Sequence, residues 1–129
     1  MYEFNLTLNL PFEQAVEKVR ETLMGEQLGV VSEIDVQAIF KAKMDKDIAP
    51  YRIMGACNPK LAERVLEAEP NAGTLLPCNF VMRAEGDATV VSFMDPASVL
   101  ALSENETVRE IGSEARAKLQ RVADTLAGV

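Results

Sequence analysis

The side chains of this sequence best suited to chemistry are its two thiols, Cys57 and Cys78, each set beside an asparagine and a proline. The first lies in Gly55-Ala56-Cys57-Asn58-Pro59. Asn58 suits a helix N-cap and Pro59 a first helical position, so Cys57 falls one residue outside a helix start, where the macrodipole favours a thiolate. From Val36 to Lys60 five basic residues, Lys41, Lys43, Lys46, Arg52 and Lys60, stand against only Asp45 and Asp47, a local net charge of +3. An electropositive thiol or a small anion site follows from this pattern. The competing reading, and the one the residue type favours, is plain packing, because free cysteine behaves as a small buried hydrophobe.

The second thiol lies in Leu75-Leu76-Pro77-Cys78-Asn79-Phe80. Strand alternation puts Cys78, Phe80 and Met82 on one face and Asn79 and Val81 on the other. The candidate site is therefore Cys57, Asn58, Pro59, Cys78 and Asn79. Should the thiols meet, they form a soft-ligand pair for Cu(I) or haem iron, a thin metal site because no third ligand is evident. A helix between their strands predicts a parallel crossover and different heights in the sheet, which argues against a disulfide.

The rest of the composition excludes more than it suggests. The chain has 129 residues, no histidine, 20 acidic and 13 basic residues and a net charge of −7. Histidine-dependent triads, dyads and metal sites are ruled out. The acidic balance argues against nucleic acid, whose phosphates call for Lys and Arg. No apolar run of membrane-spanning length occurs, and Met1-Tyr2-Glu3-Phe4 lacks signal-peptide character, so a cytoplasmic location with free thiols is expected. No glycine-rich phosphate loop occurs, and the methionines are assigned to core filling.

The elements that must position the thiols read as one domain over residues 1–129. Met1–Leu10 alternates apolar and polar residues as a half-buried strand, and a helix starts near Pro11, burying Phe12, Val16, Val19 and Leu23. Val30–Asp35 and Tyr51–Ala56 are strands. Val36–Met44 and Pro59–Glu69 are helices, the first capped by Asp35. Leu75–Ala84 and Ala88–Met94 form a hairpin about Glu85-Gly86-Asp87. Asp95-Pro96 reads as a turn. Ser103 and Glu106 have capping-box spacing before a helix whose face is Val108, Ile111, Ala115, Leu119, Val122 and Leu126, with Gly128 as its stop. The order β-α-β-α-β-α-β-β-α predicts a two-layer α+β domain, its helices packed on one face of a mixed, largely antiparallel sheet.

Ile34-Asp35-Val36, Tyr51–Pro59, Leu75–Met82 and Asp95-Pro96 resemble, in order, segments of the bacterial and archaeal "domain of unknown function 302" family. The C-N-P and L-P-C segments are the most specific parts. The resemblance implies a TATA-binding-protein-like α+β fold, commonly a homodimer, and no established activity, catalytic residue or cofactor. Met44-Asp45-Lys46 departs from the glycine-containing turn expected there. Three functions remain in competition: a small-ligand or soft-metal/haem binding module acting as a homodimer, a thiol enzyme with Cys57 as nucleophile, and a partner-interaction protein using an exposed sheet face.

Overall fold

A computed structural model describes residues 1–129. The chain runs β1 (Glu3–Leu8), α1 (Phe12–Gly25), β2 (Gly29–Asp35), α2 (Val36–Met44), β3 (Tyr51–Cys57) and α3 (Pro59–Ala68). A short 3-10 helix (Pro70–Leu75), β4 (Cys78–Glu85), β5 (Ala88–Met94), α4 (Pro96–Leu100) and α5 (Glu106–Leu126) complete it. The strands form one sheet in the order β1-β5-β4-β3-β2, and every neighbouring pair is antiparallel. The α+β class holds. The sheet, however, is antiparallel throughout rather than mixed.

The expected parallel crossover between β3 and β4 is absent for a simple reason. The connection contains two helical segments, α3 and the 3-10 helix, so the chain goes out and returns to the sheet end it left. Cys57 closes β3 at that end, and Cys78 opens β4 at the same end.

One face of the sheet carries the core. Phe4, Leu6 and Leu8 of β1 sit opposite Phe93, Val91 and Thr89, and the apolar row continues through Phe80, Met82 and Met54. These pack against Val16, Val19 and Leu23 of α1 and Leu119, Val122 and Leu126 of α5. Full burial of each such side chain stabilises the fold by about 1.5–3 kcal/mol before ordering costs are set against it. Phe93 lies between Phe4 and Phe80, with ring centroids 5.5 and 5.8 Å away. A second cluster, Val65, Ala72, Leu100, Val108 and Ile111, joins α3, the 3-10 helix, α4 and α5.

Local chemistry explains most boundaries. Asp35 caps α2 by accepting from Ala38 N at 2.9 Å. Gly86, at φ 60°, begins the two-residue turn between the paired Glu85 and Ala88, a backbone region that glycine enters without penalty. Three details differ from expectation. Asn105, not Ser103, caps α5 and accepts from Val108 N, while Ser103 Oγ donates to the Glu69 carboxylate and accepts from Asn105 N. Asp95-Pro96 starts α4, Asp95 accepting from Ala97 N, instead of making a simple turn. At the segment where a glycine turn was expected, Asp45 itself adopts φ 51°, a conformation that aspartate tolerates better than most residues. Core filling holds for Met54 and Met82, but Met24 and Met44 are exposed.

Candidate functional site

The antiparallel β3–β4 ladder decides where the thiols lie. Ala56 is the direct partner of Cys78, so Cys57 is one position further along the neighbouring strand. Both thiols are free. Both residues border one narrow cleft of about 30 Å³, walled by apolar residues that include Leu61, Val65, Leu76 and Ile111. That space is enough for a water molecule or a single metal ion. Cys78 is buried and Cys57 half-buried.

The α3 N-terminus forms one wall as its residue types require. Asn58 Oδ1 accepts from Lys60 N at 3.0 Å and Leu61 N at 3.1 Å, and Pro59 occupies the first turn, where its missing N–H leaves no gap. Pro77 forms another wall. Its ring rests over Gly55, where a Cβ would come within 2.5 Å of Pro77 Cγ and would also collide with Ser32 Oγ. Glycine at 55 is thus required by close approach, not by a turn.

The electrostatics differ from the sequence expectation. Burial pushes the Cys57 thiol up, and burial aided by the nearby Cys57 pushes Cys78 up to about 11. Two of the predicted cations are committed elsewhere. Lys41 pairs with Asp45 at 2.9 Å and Asp47 at 3.2 Å. Arg52 stacks on the Phe12 ring and pairs with Glu13 and Glu33. It also lies five residues from Cys57 along one extended strand, about 17 Å. The outcome is two protonated thiols in an apolar setting, without an activating base.

Asn79 does not join this cleft. It projects from the opposite face of β4, as alternation requires, into a larger groove of about 460 Å³ on the side of the sheet away from α1 and α5. That groove also receives Tyr2, Asn5, Tyr51, Arg83 and Ser92, none singled out from the sequence. Alternation within each strand could have assigned all of them but Tyr2 to that face; Tyr2 precedes β1 and by alternation would have joined Phe4 on the core face. Which strands are neighbours, and hence which of these residues meet, depends on the sheet order.

No group of three or more His, Cys, Asp or Glu is arranged to hold a metal, and no helix is long and apolar enough to cross a membrane. No curated protein matches the chain. A solved structure described as an uncharacterized conserved protein DUF302 from Bacillus stearothermophilus is similar, with 24% identity, a TM-score of 0.88 and 98% of each chain covered. The likeness is one of fold. The family model for "Domain of unknown function DUF302" matches residues 4–126, nearly the whole chain. The chain belongs to that family.

Proposed function

We propose that this protein is a small soft-metal binding module whose ligands are Cys57 and Cys78, with Cu(I) the ion that suits them best. The observation that carries the reading is the shared cleft: Cys57 and Cys78, one register step apart, are both among the residues lining about 30 Å³ of apolar space. Soft thiolates select Cu(I), which accepts two of them in a near-linear arrangement and needs no third ligand. The reaction is Cu(I) plus two thiols giving a bis-thiolate complex of charge −1 and two protons. The α3 N-terminus, whose dipole favours negative charge, lies beside that complex. A haem does not fit a space of this size, so the haem alternative loses support. The thiol-enzyme alternative loses support as well, because burial raises both thiol pKa values.

An anaerobic Cu(I) titration in competition with bathocuproine disulfonate tests the proposal. It expects one Cu(I) per chain, with binding lost in both Cys57→Ser and Cys78→Ser and strengthened as pH rises, since two protons leave. Failure of the wild type to compete, or retention of Cu(I) by both single variants, overturns it.

The module reading includes a homodimer. Its support is the β2–α2 edge of the sheet, where Val31, Ile34, Ile39 and Met44 are exposed together with an unpaired strand edge. Sedimentation velocity checks this: a monomer at every accessible concentration rejects it, and a shift to monomer in Ile34→Lys supports it.

A further inference from the structure

The groove on the open face of the sheet is independent of the thiol cleft, and its construction can be read from the strand register. Asn5 faces Ser92, and Ser92 faces Val81, forming one row across β1, β5 and β4. In the next row Arg83 faces Tyr51 across β4 and β3. Asn79 lies two residues before Val81 on the same face. At about 460 Å³ the groove falls within the range of small-molecule sites.

Its polar side chains are available to a ligand. Tyr51, Asn79 and Ser92 make no side-chain hydrogen bond within the protein, although all three converge on the groove. Arg83 makes one, from Nη1 to Glu85 Oε2 at 2.9 Å, which leaves most of the guanidinium fork uncommitted. The groove's own carboxylate is already engaged, since Glu3 accepts from Asn5 Nδ2 at 2.9 Å. The donors of Arg83 not given to Glu85, beside the Tyr51 phenol, suit a carboxylate, which accepts from them and takes a further bond from Tyr51. The amide of Asn79 and the hydroxyl of Ser92 both donate and accept, as a hydroxylated ligand requires, and Val81 offers an apolar floor for its C–H face.

The geometry points to a binding site for a small hydroxylated carboxylate of the sugar-acid class, with Arg83 and Tyr51 on the carboxylate and Asn79 and Ser92 on the hydroxyls. The site forms on the monomer and does not depend on the metal reading.

Two-dimensional amide NMR of the intact protein, titrated with D-glucuronate, D-glucose and benzoate, tests it. D-Glucuronate is expected to shift residues of the 79–83 and 92–94 segments saturably in the millimolar range. D-Glucose, lacking the carboxylate, and benzoate, lacking the hydroxyls, bind more weakly. Arg83→Gln weakens D-glucuronate by about tenfold or more, the usual loss for a charge-assisted hydrogen bond. Asn79→Ala weakens it less, and keeps the test decisive should Arg83→Gln misfold. Absence of saturable shifts overturns the proposal. So does equal binding of all three probes, unchanged binding in both variants, or protein-concentration-dependent shifts of these residues without ligand, which make the face a contact between copies.

Discussion

Cys57 and Cys78 come within one register step of each other because Ala56, not Cys57, is the ladder partner of Cys78. The offset matters. Successive residues of a strand point to opposite faces, so alternation does not give Cys57 the face on which Ala56 and Cys78 project, and it borders the cleft as the last residue of β3. They share a cavity and influence each other's protonation, yet stand as free thiols.

Their burial predicts graded reactivity. Iodoacetamide should label Cys57 first, with a pH midpoint above that of an ordinary cysteine, and should leave Cys78 untouched until the protein unfolds. Mass spectrometry of the labelled peptides as a function of pH and denaturant checks this. Rapid labelling of Cys78 in the folded protein contradicts the burial argument.

The same shift makes stability depend on alkaline pH. The Cys78 thiol titrates near 9.0 when unfolded and near 11 when folded, so the unfolded chain loses its proton first as pH rises. The contribution is therefore fully present below about pH 9 and lost progressively between pH 9 and 11. Its size is on the order of 2–3 kcal/mol. Urea denaturation across that range should show a steeper fall for the wild type than for Cys78→Ala. Parallel slopes reject the assignment.

Gly55→Ala should destabilise the protein by about 1–3 kcal/mol, because the added Cβ meets Pro77 and Ser32 on the face where the chain passes closest. Chemical denaturation measures the loss. The strand propensity of alanine plays little part, since Gly55 is held by contact, and a neutral substitution indicates that Pro77 can move away.

Gly112→Ala tests a second close approach. A Cβ there would lie 2.7 Å from Pro96 O and 3.0 Å from Leu100 Cβ, so α4 must shift away from α5. Although alanine favours an isolated helix by about 1 kcal/mol over glycine, overpacking outweighs that gain and a net loss is expected. A rise in thermal stability in this variant contradicts the packing.

Asn58→Ala removes the acceptor for two α3 backbone donors and should cost about 1 kcal/mol. Loss of this cap also frays the helix start that walls the thiol cleft. Faster labelling of Cys57 should therefore accompany the loss in denaturation midpoint, whereas an unchanged labelling rate separates the cap from the cleft.

Local and periodic features were legible because they arise from neighbours in sequence. The α5 face from Val108 to Leu126 is buried throughout, the hairpin turns at Gly86, and Asn58 and Asp35 cap the helices that follow them. Capping chemistry proved less legible where alternatives crowd together, as between Ser103 and Asn105, since either can supply the acceptor and tertiary contact with Glu69 engages the first.

Sequence by itself determined the α+β class, the family resemblance, the exclusion of histidine chemistry and the separation of Cys78 from Asn79 onto opposite strand faces. Each of these follows from residue identity or from a periodicity of a few residues. Tertiary structure alone decided that β3 and β4 are antiparallel, because the return path of a two-helix connection depends on packing against α5. That choice brought Cys57 and Cys78 to the same sheet end, and the strand order gathered Asn5, Tyr51, Arg83 and Ser92 from four strands around Asn79.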